Sequence, residues 1–137
     1  MQNGIFFITI CAKDRHPLFG KIQDGKMALS EHGEHARHCI DSIESVYPSV
    51  SLESYVVMPT HVHILLAFLD HKTNPSLDRV VKQYKSAVSK MIGFSPWQDS
   101  SFINTIITAR KLKTVRQYII ENPLRWKEDK FASMECE

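Results

Sequence analysis

The sequence predicts an α+β sandwich: a mainly antiparallel four-stranded sheet with about three helices. Two observations predict it. Apolar stretches switch between a period of two and a period of 3.6 in the order strand, helix, strand, strand, helix, strand, helix. The second and third strands are joined only by Met58-Pro59-Thr60, a connection so short that they must be antiparallel neighbours. That order matches the ferredoxin-like arrangement, with helices expected chiefly on one face of the sheet.

Each element has a local reason. Ile5-Phe6-Phe7-Ile8-Thr9-Ile10-Cys11 is dense in β-branched and aromatic residues and reads as a largely buried first strand. A loop with Lys13, Asp14, Arg15, His16 and Pro17 runs through Gly20, Asp24 and Gly25 to a helix expected over about 26–47. In that helix Met27, Ala36, Cys39, Ile40, Ile43 and Val46 form an apolar stripe, Glu31, Glu34, Arg37, Asp41 and Glu44 face water, and Pro48 ends it. Strands are expected over 50–57 and 61–68. After a polar loop, Asn74 or Ser76 caps a helix running to about 91, with Leu77, Val80, Val81, Tyr84, Val88 and Ile92 inward. Pro96-Trp97-Gln98 lies in a loop before a strand over about 102–108. The last helix starts near 109 and stops at Asn122, because the residue before Pro123 is disfavoured from continuing it. Residues 125–137 read as a partly flexible tail, and the whole chain, 1–137, as a single domain.

Composition narrows the function classes. Hydrophobic residues make up 43% of the chain and charged residues 23%, which argues against disorder. No apolar run is long enough to span a bilayer, and the N-terminus lacks the pattern of a secretory signal, so no membrane partner and a cytoplasmic location are expected. Cys11, Cys39 and Cys136 lack metal-ligand spacing and are expected as reduced thiols. The net charge of +2 is unevenly spread. Residues 79–116 hold eight Lys or Arg against one acid, Asp99, and the rest of the chain is acidic. Arg79, Lys82, Lys85, Arg110, Lys111, Lys113 and Arg116 are the candidate contacts to a polyanion, with a merely solvated basic face as the alternative. Arg110, Lys111, Lys113 and Arg116 occupy the first two turns of the last helix, where cations oppose the helix dipole. That placement suggests that this end meets phosphates, and Trp97 and Phe102 are candidates to stack on unpaired bases, with a core anchor as at least an equal reading of Trp97.

Residues 55–66, Tyr-Val-Val-Met-Pro-Thr-His-Val-His-Ile-Leu-Leu, set two imidazoles into a strand. His61 and His63 are two apart, so they share a face about 6.6 Å apart along the chain and can turn onto one metal ion. Val62, Ile64, Leu66 and Phe68 then face the core, with Leu65 and Ala67 behind the histidines. Ordinary strand histidines bonded to backbone remain the alternative. His32, His35, His38 and Cys39 have helical spacing, but no further ligand or partner loop is evident, and they read as solvated side chains.

The His-Val-His strand, taken with Tyr118-Ile119-Ile120-Glu121-Asn122-Pro123, resembles the HUH single-tyrosine transposases, and within them the REP-associated tyrosine transposases. Phe6-Phe7-Ile8-Thr9, Pro17-Leu18-Phe19, Lys85-Ser86 and Trp97-Gln98 extend the resemblance over nearly the whole chain. It implies that His61, His63 and Asn122 bind a divalent metal, Mg²⁺ or Mn²⁺, and that Tyr118 is the nucleophile. It implies an endonuclease and strand transferase acting on single-stranded or hairpin DNA through a 5′-phosphotyrosine intermediate. It leaves open a homodimer that shares its active sites, and a non-cleaving single-stranded nucleic-acid-binding descendant. The chain departs from the pattern where such proteins commonly carry an Asp-His pair and then an arginine. Here those places hold Ile103-Asn104 and Ile107.

Overall fold

A computed structural model describes residues 3–124. The expected tail, 125–137, lies outside the described residues. Strand β1 (Gly4–Ala12) is followed by a turn at Lys13–Arg15, the hairpin β2 (Gly20–Gln23) and β3 (Lys26–Leu29), and helices α1 (Glu31–Asp41) and α2 (Ile43–Val46). Strands β4 (Val50–Met58) and β5 (His61–Phe68), helix α3 (Leu77–Ile92), strand β6 (Trp97–Ile106) and helix α4 (Ala109–Glu121) complete it. The main sheet has the order β4-β5-β1-β6, and each neighbouring pair is antiparallel. This is the ferredoxin-like order the sequence predicts.

Three features differ from the sequence reading. The helix expected over 26–47 begins only at Glu31, because Asp24-Gly25 makes the tight turn of the β2–β3 hairpin. Both residues have positive φ, 53° and 75°, as a two-residue hairpin of mirror-image type requires. Ser30 then caps α1 by accepting from the Gly33 N–H at 3.1 Å. Strand β6 starts at Trp97 rather than near 102, with Ala12 paired to Trp97. The helices also occupy both faces: α1 and α3 pack with Ile8, Ile10, Val62, Ile64 and Leu66, while α4 sets Val115 and Ile119 on Phe7, Leu65 and Ile106. Strand β5 is therefore buried on both sides along its whole length.

The rest of the α3 face follows the expected pattern. Ser76 caps α3, and Leu77, Val80, Val81, Tyr84 and Val88 are buried. Tyr84 donates its hydroxyl to the Ala36 carbonyl at 3.1 Å, and the Trp97 indole donates to the Lys85 carbonyl at 3.1 Å. Burial pushes the Tyr84 phenol well above its ordinary value. Cys39 is a free, buried thiol, as expected of a reduced cysteine, and Cys136 lies outside the described residues. Among the described residues, no helix is long and apolar enough to cross a membrane.

Gly33 shows how closely α1 approaches the loop before β2. A Cβ there would sit 2.0 Å from the Phe19 carbonyl oxygen, a backbone atom with no room to retreat. Gly33→Ala is expected to lower stability by about 1–3 kcal/mol, the usual range for overpacking, read as a shift in denaturation midpoint.

Candidate active site at one end of the sheet

The His-Val-His segment opens β5 directly after the two-residue turn Pro59-Thr60, with Met58 paired to His61. The turn is pinned by the chain around it: the Ala12 N–H donates to the Thr60 carbonyl at 2.8 Å and the Phe19 N–H to the Pro59 carbonyl at 3.1 Å. Both histidines are fully buried. Their Nε2 atoms converge to 3.1 Å, while His61 Nδ1 lies 3.0 Å from Thr60 Oγ1 and His63 Nδ1 lies 2.9 Å from Thr9 Oγ1. Two nitrogens bound at right angles to one ion at ~2.1 Å would stand ~3.0 Å apart, so the spacing suits a shared ion.

Helix α4 runs from the far end of the sheet back to this one. Thr108 caps it by accepting from the Lys111 N–H at 3.1 Å. Val115 and Ile119 bury one stripe, which turns Tyr118 edge-on to His63, with ring centroids 5.4 Å apart, and to Phe7, 6.2 Å apart. Asn122, the C-terminal cap of α4, is 2% exposed. Its Oδ1 is buried with no hydrogen-bond partner among the described residues. A buried amide oxygen left unpaired is costly, so its orphaning calls for a ligand or a use. Among the described residues no three His, Cys, Asp or Glu side chains converge. Among the described residues the two imidazoles converge, and Asn122 Oδ1 at the end of α4 is a buried acceptor with no partner there. Tyr118 stands beside the His63 of its own chain.

A β-bulge contributes to the seating of α4. The β4–β5 register shifts between Leu52 and Ser54, leaving Glu53 as the extra residue, and Glu53 accepts from Arg116 at 3.4 Å. Arg116 is therefore engaged with the protein. So is Lys85, whose ammonium donates to the Gln98 and Asp99 carbonyls at 2.9 and 3.2 Å and joins α3 to β6. Burial lowers the Lys85 pKa, opposed by the nearby Asp99. Lys82 pairs with Asp78 at 3.0 Å on the exposed face of α3. Arg79, Arg110, Lys111 and Lys113 are exposed.

The fold does not bring these seven cations together around the histidines. Arg79, Lys82 and Lys85 lie on α3, across the sheet from α4. Arg110, Lys111 and Lys113 start α4 about 14–18 Å of helix rise before Asn122. The cations nearest the His end are others, which the charge count over 79–116 passed by. Lys13 and Arg15 follow the end of β1, and Lys21 and Lys26 are on the hairpin whose tip, at Gly25, approaches Leu124 just past α4; all four are exposed. The Asp24-Gly25 pair was the signal that could have found the hairpin. Trp97 is 2% exposed and packs on Phe19 and Tyr84, so its ring is a core anchor and not a stacking platform. Phe102 is partly exposed.

Comparison with known proteins follows the geometry. A REP-associated tyrosine transposase, solved bound to a REP hairpin, superposes with a TM-score of 0.74 at 18% identity, over 95% of this chain and 72% of that one. The chain has the fold of a REP-associated tyrosine transposase. A proposed transposase of Deinococcus radiodurans also shares this transposase fold, with a TM-score of 0.60 at 18% identity over 90% and 92% of the two chains. An uncharacterized protein of Haemophilus influenzae is 24% identical over 152 aligned positions, covering 93% of this chain and 84% of that one. No protein-family model matches. Within the transposase fold, the departing residues Ile103, Asn104 and Ile107 fall on and just after the outer strand β6, where Ile103 is 43% and Ile107 87% exposed.

Proposed function

We propose that the protein is a single-stranded DNA endonuclease and strand transferase that acts on hairpins through Tyr118, with a divalent ion, Mg²⁺ or Mn²⁺, held by His61, His63 and Asn122. The observation that carries this reading is the Tyr118 ring beside a pair of converging imidazole nitrogens, with an orphaned amide oxygen one turn further along the same helix. The REP hairpin on the structural neighbour supports a hairpin as substrate. A cytoplasmic location, where such DNA is found, fits the same reading.

When bound, the ion would supply Lewis-acid stabilisation of the scissile phosphate and fix its orientation. The rest of the chemistry belongs to the chain. The Tyr118 oxygen attacks phosphorus as its phenolic proton departs. The bond to the 3′ oxygen breaks, that oxygen takes a proton, and a 5′-phosphotyrosine link remains. Because the link preserves a phosphodiester's energy, a second 3′-hydroxyl can attack it and release the tyrosine with the strand rejoined. Nucleotide hydrolysis is not required. The other tyrosines are less suited: Tyr84 is buried on the opposite side of the sheet, and burial, with a hydrogen bond to Asp41, raises the Tyr55 pKa. The neutral-donor ligand set leaves the ion's full charge to face the phosphate.

Exposed cations would hold the DNA away from the reacting bond. Replacing Arg110, Lys111 and Lys113 together by Gln is expected to reduce the slope of log affinity against log salt by about 2 to 3, since each released phosphate contact contributes ~0.7–0.9. The check is hairpin binding by fluorescence anisotropy across a salt series. An unchanged slope would remove this end of α4 from the DNA path. The reading as a whole is tested by covalent capture of labelled hairpin DNA. Binding without an adduct in either ion would favour a non-cleaving nucleic-acid-binding domain.

A further inference from the structure

We infer that Phe102 and Asn104 form a nucleotide-reading pair on the sheet beside the proposed active site. Phe102 stacks on an unpaired base flanking the DNA hairpin, and the Asn104 amide bonds the edge of the base next to it. The inference rests on the DNA reading above and deepens it, from a hairpin in general to the unpaired nucleotides at its foot. The strand register places both residues. Phe102 pairs with Thr9, and Thr9 with His63, so Phe102 stands in one row across the sheet with the histidine. Asn104 is two residues further along β6, opposite Phe7, and so on the same face. That face is the α4 side, since Phe7 packs with Val115 and Ile119.

Helix α4 leaves this part of its face accessible. It starts just past the end of β6 but slants across towards β4, where Arg116 reaches Glu53 and Val56 joins the cluster under Val115 and Ile119. Ile106, at the end of β6 nearest the start of α4, is buried, whereas Asn104 is exposed and Phe102 partly so. Among the described residues, the Phe102 ring meets no other aromatic ring and packs against neither buried cluster. The Asn104 side chain makes no hydrogen bond among them. Strand β6 is also the outermost strand of the sheet, so a DNA strand can approach it from the open edge.

An unpaired base presents two flat apolar faces and a polar edge. An aromatic ring on a strand held by its pairing to β1 offers such a face a partner, and stacking of this kind accepts any base. Choice among bases needs a group that meets the edge. An amide carries both donors and an acceptor, and its bidentate partner is adenine. Cations cannot supply this, because a phosphate contact carries no information about the base. Two strand spacings, about 10 Å, separate Phe102 from His63, so a nucleotide stacked on the ring can adjoin a phosphate held at the histidines. Alternation gives β6 this one reading face, since Ile103 pairs with Ile8 and faces the α1–α3 side.

The test is binding of the whole protein to a labelled DNA hairpin with and without a single-stranded flank, for wild type, Phe102→Ala, Phe102→Trp and Asn104→Ala. Phe102→Ala is expected to weaken binding of the flanked hairpin by about 5- to 100-fold and to leave the bare hairpin unchanged, and Phe102→Trp to restore the loss. A scan of all four bases along the flank should show a preference at one position that Asn104→Ala removes. Photocrosslinking of the wild type to 5-iodouracil in the flank, mapped by mass spectrometry, needs no variant to fold and should mark Phe102. Equal affinity of wild type and Phe102→Ala for the flanked hairpin, equal weakening of both hairpins, or crosslinks confined to other elements would overturn the inference. The wild-type base preference in Asn104→Ala would remove Asn104 from the pair. Any of these results leaves the cleavage reading standing if the Tyr118 adduct forms. Flank-dependent binding through Phe102 with no adduct would sink the cleavage reading and keep this one.

Discussion

Tyr118→Phe abolishes the denaturation-resistant adduct between the protein and a labelled single-stranded hairpin in Mn²⁺ or Mg²⁺, while hairpin binding stays near its wild-type strength. This is the largest effect expected of any single atom in the chain. The substitution removes only the phenolic oxygen, so the ring keeps its edge contacts with Phe7 and His63. Tyr118 is half-buried, and the loss of one hydroxyl there should change stability by less than about 1 kcal/mol. Loss of the adduct therefore reports loss of the nucleophile and not of the fold. An adduct that survives Tyr118→Phe would place the covalent chemistry on another residue and remove the main argument for α4 as the catalytic helix.

His63→Ala is expected to have the next largest effect, by removing one of two imidazole donors. Losing a mere hydrogen-bond partner of a ligand costs ~10- to 100-fold in metal affinity, and losing the ligand itself should cost at least as much. The variant also opens a cavity among Phe7, Leu65 and Tyr118 and leaves Thr9 Oγ1 without its partner, so it will be less stable even without metal. Linkage separates the two effects. Mn²⁺ at one hundred times its Kd should stabilise the wild type by about 2.7 kcal/mol over the same protein in chelator, and that increment should vanish in His63→Ala. Equal stabilisation of both proteins by Mn²⁺ would place the ion elsewhere. Adduct formation should fall in parallel with occupancy, and saturating Mn²⁺ should recover part of it if His61 and Asn122 still hold the ion weakly.

The elements that bear the proposed chemistry were legible because their signals are local. Alternation over 61–68 places Val62, Ile64, Leu66 and Phe68 on one face and the histidines on the other, and the structure keeps that division. The apolar positions of the last helix, with Pro123 behind Asn122, mark where it must end, and α4 ends there. The 26–47 segment misled because its apolar residues suit a helix in the abstract. Asp24-Gly25 is the stronger statement, since two successive residues with positive φ commit the chain to a hairpin before Ser30 starts α1.

Pairwise and long-range placements were not legible. A run of positive charge over 79–116 says nothing about which carbonyl or carboxylate each cation will meet. Lys85 reaches the backbone of β6 and Arg116 reaches Glu53 because folding brings them within range, and a cation so engaged offers less to a phosphate. The bulge at Glu53 adds one residue to β4 without a local signature, so that Leu52 and Tyr55, which plain alternation would put on opposite faces, both pack against the α1–α3 core.

By itself, the sequence determined the strand that carries His61 and His63, the helix that carries Tyr118 and Asn122, and the antiparallel joining of β4 to β5. Each follows from side-chain periodicity or from a turn too short for any other connection. Only the tertiary structure decided that α4 covers the histidine face while α1 and α3 cover the other. It also brought the imidazole nitrogens to 3.1 Å, set Thr9 against one and Thr60 against the other, and left Asn122 Oδ1 without a partner among the described residues. Those outcomes depend on register between strands 54 residues apart and on which apolar stripe finds which sheet face. Such pairings are settled by burial over the whole core, and no single stretch of chain contains the information.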